Sequence, residues 1–278
     1  MNDLTRKDAE ALVAAIGIPP RPAVVLAVMD EKSKAEPDLA AIAEAISRDV
    51  GVAAALLKAV NSPLFGLRCA VRSIPHAVNL LGLRQISTLV NSLALKTTLN
   101  TQGIERFWDQ SARVAMLSSW LAAKLGQDRD DAHLFGLFRD AGIPLMMRRF
   151  KDYKDTLRLA NQSDSPGFTV VEDDRHGVNH AVVGAIVARN WMLPEELREA
   201  ILGHHEVALF SRQTSAKVKN LVALSHLAAQ IESRAIRAMD DGEWRFFEDP
   251  ALAWLMLGDE DVDELTQQAT SLLLDQAL

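Results

Sequence analysis

Residues 220–235 read NLVALSHLAAQIESRA. Apolar residues recur there every three or four positions, which is the spacing of one face of an α-helix. The stripe consists of Leu221, Leu224, Ala228, Ile231 and Ala235. A second stripe with the same spacing follows Arg113, and alanine and leucine, which are both good helix formers, are frequent in the two stripes. These patterns predict an all-α protein.

Segments of alternating β-branched residues, which would indicate strands, are scarce. Phe168–Val171 is the one segment that invites a strand interpretation, and it is too short to found a sheet. Gly142 and Pro144 are expected to break a helix, and Asp249–Pro250 to open a helix near the C-terminus. Gly82 is expected to allow a neighbouring helix to approach closely.

The chain has 278 residues, a formal net charge of −7 and one cysteine, Cys69. A single cysteine excludes an intramolecular disulfide and a cysteine-based zinc site. Hydrophobic residues make up 49% and charged residues 24%, which excludes a disordered or collagen-like chain. The N-terminus lacks a signal-peptide pattern, and no apolar run approaches the roughly 18 residues of a membrane span. We therefore expect a soluble, cytoplasmic protein without a membrane partner.

Acidic residues are concentrated toward the C-terminus. Residues 240–278 contain eleven acidic residues and one basic residue, Arg245. A net-acidic chain does not attract nucleic acid through its overall field, so we expect no nucleic-acid partner. One basic run consists of Arg148, Arg149, Lys151, Lys154 and Arg158. Its expected role is a solvated helical face, and a docking patch for a phosphate or an acidic partner is the alternative.

An ordered series of motifs covers most of residues 18–230. In chain order they include IPPRP (18–22), LLKAVNSPLFG (56–66), LLGLRQI (80–86), LFGLFRDAG (134–142), WMLP (191–194) and the pair His204–His205. Together they resemble the HDOD family, which comprises bacterial, all-helical signalling domains related to the HD metal-dependent phosphohydrolases. The resemblance implies a multi-helix, HD-like fold in which an N-terminal helical subdomain packs on a degenerate HD-type subdomain.

This fold implies three regions. We expect an N-terminal helical subdomain over residues 1–100, a degenerate HD-like helical subdomain over 101–236, and acidic C-terminal helices over 237–278 that pack on the body. The last helix carries an apolar stripe at Val262, Leu265, Ala269, Leu272 and Leu273. Folding back onto the body is the expected role of this stripe, and dimerisation or docking to a basic partner is the alternative.

HD phosphohydrolases bind metal through His and Asp residues from several helices, and the resemblance assigns those positions here. The first His position is Gln110, the His–Asp pair is Arg139–Asp140, and the final Asp position is Ser225. His180 and the pair His204–His205 match the later His positions. Three metal ligands are therefore replaced, at Gln110, Arg139 and Ser225.

Arg139 places a permanent cation beside Asp140, and we expect its guanidinium to stand in for the charge of a metal ion. Active relatives often have a lysine three residues after this Asp, where the present chain has Ile143. The remaining cluster, Asp140, His180, His204 and His205, is interpreted as vestigial. The sequence thus predicts no catalytic residue, no bound metal and no cofactor.

The other histidines allow weaker interpretations. His176 and His180 could share one helical face and bind one metal, but Gly177 and Asn179 make a helix start near Val178 equally plausible, which would leave His176 outside the helix. His76, His133 and His226 are expected to be structural or exposed.

The function implied by the resemblance is a non-enzymatic signal-transduction module. It would act as an output or adaptor domain that binds a bacterial signalling or regulatory protein, or a small ligand. The alternative is a metal-dependent phosphohydrolase acting on a nucleotide or cyclic dinucleotide, which the retained Asp and His residues motivate. A third interpretation is a nucleotide receptor without hydrolysis, in which Arg139 contacts a phosphate.

Overall fold

The computed structural model describes residues 15–61, 67, 69–99, 104–162 and 167–275. Within these residues every regular element is helical, so the all-α prediction is confirmed. No helix in this described part is long and apolar enough to cross a lipid bilayer. The described residues divide into two compact units, those within 20–100 and 274–278 and those within 1–19 and 101–273.

The first unit is built from α1 (Ala23–Lys32), α2 (Leu39–Arg48), α3 (Val50–Val60) and α4 (Ile74–Leu99). Carboxylates cap two of these helices. Asp38 accepts a hydrogen bond from the backbone N–H of Ala40 at 2.8 Å, and Asp49 accepts one from Val52 at 3.0 Å. Each cap satisfies a backbone donor that the first turn leaves without a partner, which fixes where α2 and α3 begin.

Helix α4 is kinked at Gly82, whose φ of 73° lies in the left-handed region. The expectation that Gly82 admits a close neighbour is wrong, because a Cβ placed there would meet none of the described atoms within 4 Å. Glycine is required at this position by the backbone conformation, which other residues adopt only with strain.

The second unit contains α5 (Glu105–Lys124), α6 (Arg129–Phe138), α7 (Gly142–Arg149), α8 (Tyr153–Asn161), α9 (Phe168–His176), α10 (His180–Asn190), α11 (Glu195–Gly203), a 3₁₀ turn (Val207–Phe210), α12 (Ala216–Arg237), α13 (Trp244–Leu255) and α14 (Asp259–Asp275). Helix α12 carries the stripe of residues 220–235 and is buried along most of its length. It packs against α5, α6, α11 and α13, and is therefore the central helix of this unit.

The second unit tests two local expectations, a possible strand at Phe168–Val171 and a helix break near Pro144. Phe168–Val171 forms the first turn of α9 and not a strand. The chain breaks between α6 and α7 as predicted, and Pro144 lies in the first turn of α7, where a missing N–H costs no helical hydrogen bond.

The C-terminal helices differ from expectation at one boundary. Helix α13 begins at Trp244 instead of Asp249, and Pro250 lies inside it. Trp244, Phe247 and Ala251 are buried, and this packing stabilises the earlier start. In α14, Leu265, Ala269 and Leu273 are buried, as expected for the apolar stripe.

Gly142 lies against the backbone at the start of α10. A Cβ at this position would be 2.1 Å from the carbonyl oxygen of His180 and 2.8 Å from its carbonyl carbon. Because backbone atoms cannot rotate away as a side chain can, we expect Gly142→Ala to lower the free energy of unfolding by about 1–3 kcal/mol or more. Urea denaturation measures this change. Gly258→Ala is the matched control, since its Cβ would meet only Asp261 at 3.7 Å, and equal stability of the two variants would contradict the packing argument.

Candidate functional site

Three helix ends of the second unit meet around Asp140. Asp140 itself lies in the turn between α6 and α7. His180 is the first residue of α10, whose start is fixed by the Asn179 side chain accepting a hydrogen bond from Val182 N–H at 2.9 Å. His204 and its neighbour in sequence directly follow the last turn of α11. Helix boundaries therefore determine which side chains enter the site.

The predicted cluster is brought together in space. The candidate ligand atoms of Asp140, His180, His204 and His205 all lie within 4.8 Å of one another. Oδ1 of Asp140 is 3.4 Å from Nε2 of His180 and 3.3 Å from Nε2 of His204. The Nε2 atoms of His180 and His205 are 3.0 Å apart. One carboxylate oxygen and three imidazole nitrogens thus face a common centre.

Three acceptors hold the Nδ1 atoms of the histidine rings. They are Glu172 for His180, the backbone carbonyl of Ile201 for His204, and Glu243 for His205, each at 2.7 Å. These hydrogen bonds fix the orientation of each ring, and they leave the three Nε2 atoms directed into the cluster.

Glu172 and Glu243 are site residues that the sequence analysis missed. Glu172 is fully buried in α9, and its other carboxylate oxygen accepts a hydrogen bond from the hydroxyl of Tyr153. Glu243 is the residue before α13, in the acidic C-terminal segment. Glu172 contacts His180 and Glu243 contacts His205, and in each pair the two residues belong to different helical segments. No spacing within one helix therefore identifies either pair in the sequence.

Arg139 turns into the protein and not toward solvent. Its side chain is 12% exposed, and its Nε donates to Oδ2 of Asp140 at 3.0 Å. Its Nη1 donates to the backbone carbonyl of Ser225 at 3.3 Å. Two of the replaced ligand positions, Arg139 and Ser225, are therefore in contact, and Gln110 lines the adjoining cavity. That the guanidinium takes over the charge of a metal ion stays a prediction.

The cluster is strongly polarised. Burial opposes ionisation of Asp140, but the Arg139 guanidinium and hydrogen bonds from two imidazoles outweigh it and hold the pKa of this carboxyl well below its usual range. Burial opposes protonation of His180 too, but the carboxylates of Glu172 and Asp140 raise its pKa to about 10. Burial and the neighbouring imidazoles lower the pKa of His205 well below its usual value. In the absence of a bound metal ion, His180 therefore carries a proton on both ring nitrogens, and His205 is neutral.

A cavity of about 580 Å³ adjoins the cluster, within the range of small-molecule binding sites. Its charged lining includes the bases Arg106, Arg139 and Lys154 and the acids Asp140, Asp241 and Glu243. Ile143, at the position of the missing lysine, contributes an apolar wall. The rest of the basic run around Lys154 lies on an exposed surface, as expected.

The remaining histidines do not join the cluster. His176 ends α9 and His180 begins α10, so the idea that they share one helical face is wrong. The left-handed residue Gly177 ends the first helix between them. His226 is buried, donates from Nε2 to the carbonyl of His204 at 2.8 Å and stacks on a phenylalanine ring, which is a structural role.

The donor set of the cluster fits a divalent transition-metal ion. Imidazole nitrogens and carboxylate oxygens are common ligands of such ions. The Nδ1 atom of each of the three histidines is bonded to an acceptor, as is usual for metal-binding histidines. Asp140, His180, His204 and His205 would hold the ion. When bound, it would supply Lewis-acid chemistry and the positive charge that faces Asp140.

Comparison with known proteins identifies the family of this chain. Residues 18–207 match the family model described as HDOD domain. The chain belongs to the HDOD family. An uncharacterised protein of Treponema pallidum (strain Nichols) is 28% identical to this HDOD protein over 194 residues, which are 68% of the present chain. Those residues are 38% of the Treponema protein, so the chain spans about two fifths of that relative's length.

Solved structures share the HDOD fold. They include an HDOD domain protein of unknown function from Geobacter sulfurreducens (20% identity, TM-score 0.71, 96% of both chains), a proposed phosphohydrolase from Shewanella amazonensis SB2B (22%, 0.72, 94% of this chain and 93% of that chain) and a proposed signal transduction protein from Marinobacter aquaeolei VT8 (20%, 0.70, 98% of this chain and 65% of that chain). At these identities the likeness shows the fold alone.

The charge on His180 predicts a pH dependence in protein treated with a chelator. Its pKa is about 10 in the folded chain and about 6.5 in the unfolded chain, so protonation stabilises the folded state. This contribution is complete below about pH 6.5 and is lost as the pH rises toward about 10. We expect the difference in unfolding free energy between wild type and His180→Gln to shrink over this interval. Urea denaturation at a series of pH values measures it, and a difference independent of pH would contradict the assigned charge.

Proposed function

We propose that this HDOD protein is a non-enzymatic signal-transduction module that works by binding a regulatory protein or a small ligand. The observation that carries the proposal is the position of Arg139, whose guanidinium contacts both the Asp140 carboxylate and the Ser225 backbone. These are the places where the HD relatives are expected to use His and Asp as metal ligands. A guanidinium occupies that part of the site in this chain.

The chemistry of arginine argues against hydrolysis. A metal ion lowers the pKa of a bound water and so supplies a nucleophile at neutral pH. The guanidinium of Arg139 has no acceptor and stays protonated in proteins, so it can bind a phosphate but cannot coordinate and activate a water in that way. Gln110 and Ser225 stand where the HD relatives are expected to have two further ligand side chains. The site therefore favours binding over catalysis.

The cavity supplies a place for a ligand. Arg139 lies at its inner wall, and Arg106 and Lys154 add positive charge from exposed positions. A nucleotide is a second candidate ligand class, because its phosphate matches these cations and its base matches an apolar wall such as Phe168. The name of the Marinobacter protein, which refers to signal transduction, agrees with a signalling role. The name of the Shewanella protein refers to the alternative, phosphohydrolase activity.

Hydrolysis is tested with the purified chain, Mn²⁺ or Zn²⁺, and a panel of nucleotides and cyclic dinucleotides. We expect phosphate release no higher than in a protein-free blank.

The combined variant Gln110→His, Arg139→His, Ser225→Asp restores the three replaced ligands, and we expect it to bind at least one more metal ion per chain than wild type. Metal release by chelation, followed by elemental analysis, measures the difference. Phosphate release by wild type that disappears in Asp140→Asn would overturn the non-enzymatic proposal.

Binding is tested by affinity capture from a lysate of the bacterium that encodes the chain. We expect the captured partner or ligand to be lost with Lys154→Glu, since Lys154 lines the cavity, and retained with Lys151→Glu. The two lysines are three residues apart and both are exposed, so the variants match in charge change and in expected stability. Equal capture by both variants would place the binding surface away from the cavity.

A further inference from the structure

We propose that the cavity binds a zwitterion, with an ammonium or guanidinium group directed at Asp241 and an anionic group near Arg106 and Lys154 at the mouth. Such a ligand is either a free small molecule or a basic side chain of a partner protein that lies beside acidic residues of that partner. This inference rests on the proposed function and deepens it, since it assigns the chemistry of the ligand in the same cavity.

The inner wall of the cavity, meaning its lining residues of low exposure, has more acids than permanent bases. The acids are Asp140, Asp241 and Glu243, and the base is Arg139. Nε of Arg139 lies 3.0 Å from Oδ2 of Asp140, so that carboxylate offsets much of its charge. Among the described residues, Asp241 and Glu243 have no lysine or arginine at hydrogen-bonding distance. A cationic group of a ligand therefore matches this wall.

Asp241 has the weakest pairing of the three acids. Its Oδ1 accepts a hydrogen bond from the Glu243 backbone N–H at 3.2 Å, and its one ion-pair partner in the described part of the chain, Arg237, is 3.9 Å away. Burial raises the pKa of the Asp241 carboxyl, and the Arg139 guanidinium opposes that rise only in part. A largely buried carboxylate without a close cation is costly, so a cationic group of a ligand would stabilise it.

The neighbouring acid shows the opposite arrangement. Asp240 is 64% exposed, yet its Oδ1 accepts hydrogen bonds from Arg234 at 2.6 Å and from Gln230 at 2.7 Å. Asp241 is 21% exposed and has no contact of that kind. Buried carboxylates are normally the ones with close partners, and here the order is inverted. The inversion is explained if the partner of Asp241 arrives with the ligand.

Glu243 offers a second acceptor on the same wall. Its Oε1 is 2.7 Å from Nδ1 of His205, and its Oε2 makes no hydrogen bond within the described residues. An ammonium group has three N–H donors and a guanidinium group has five, so one head group can serve both carboxylates. The apolar lining suits the hydrocarbon stem behind such a head group. This lining includes Val114, Ile143, Met147, Leu157 and Phe168.

The mouth of the cavity matches the other end of the ligand. Arg106 and Lys154 line it from exposed positions, and neither forms an ion pair within the part of the chain that the structure describes. Glu105, which is exposed there too, takes part in another interaction. The two bases are therefore available to a carboxylate or phosphate of the ligand. A nucleotide matches the mouth, but its neutral base brings no cation to the inner acids, so the order of charges favours a zwitterion.

The test is an NMR titration of the full chain with three small probes. They are ε-aminocaproate, which carries both charges, ε-hydroxycaproate, which lacks the ammonium group, and hexylamine, which lacks the carboxylate. We expect ε-aminocaproate to bind at least tenfold more tightly than ε-hydroxycaproate, because only the ammonium group can pair with the inner acids. A capped peptide with one lysine between aspartates distinguishes the two sources. Tighter binding than ε-aminocaproate assigns the ligand to a partner protein, and weaker binding assigns it to a free molecule.

Two adjacent variants provide the matched comparison. Asp241→Asn keeps the shape of the side chain and the acceptor for the Glu243 N–H, and it should weaken binding of both amines at least tenfold. Asp240→Asn makes the same change one residue away, outside the lining of this cavity, and should bind as wild type does. Lys154→Gln should weaken binding of ε-aminocaproate more than binding of hexylamine. Circular dichroism checks that each variant is folded.

Failure of both amines to bind at millimolar concentration, or equal binding by wild type and a folded Asp241→Asn, would overturn the inference. A nucleotide that binds where neither amine does would overturn it too, and would leave the proposed function standing. Amine binding that depends on Asp241, found together with phosphate release that Asp140→Asn abolishes, would support the inference and count against the non-enzymatic proposal alone.

Discussion

The carboxylate of Asp140 is shared between a guanidinium on one oxygen and two imidazoles on the other. A largely buried charge of this kind costs several kcal/mol unless positive charge and hydrogen bonds surround it. The α6–α7 turn, the start of α10 and the end of α11 each bring one of those partners. The close contact between Gly142 and the His180 backbone is the steric condition for this arrangement, because a larger residue would separate the turn from α10.

The two oxygens of Asp140 face different kinds of positive charge. On one side Arg139 is covalently part of the chain, permanently charged and anchored to Ser225. On the other side lie the imidazoles of His180 and His204, and although burial opposes it, the neighbouring carboxylates keep a proton on His180.

Much of this arrangement could be predicted from the sequence. The helical periodicity identifies the all-α class, and the HDOD motifs carry the retained Asp and His residues to positions that the structure brings together. The predictions were less successful where tertiary packing decides. Buried Trp244 and Phe247 move the start of α13 upstream of Asp249, and Gly82 serves a backbone kink rather than a close contact.

The partners behind the histidines lie further outside what a sequence reveals. Glu172 lies on α9 and Glu243 lies just before α13, and their roles arise only when these segments are placed beside the cluster. Local rules address neighbours within one or two helical turns. Contacts between separate helix ends depend on the whole packing of the second unit, which no spacing pattern encodes.

The hydrogen bond between Tyr153 and Glu172 gives the protein a built-in spectroscopic reporter. Tyr153 is the single tyrosine of the chain, so its phenol signal needs no assignment by mutagenesis. Burial, together with the adjacent carboxylate, raises the pKa of this phenol well above its usual range. The tyrosine ultraviolet band and ring-proton resonances therefore report directly on the carboxylate behind His180, one hydrogen bond away from the centre of the site.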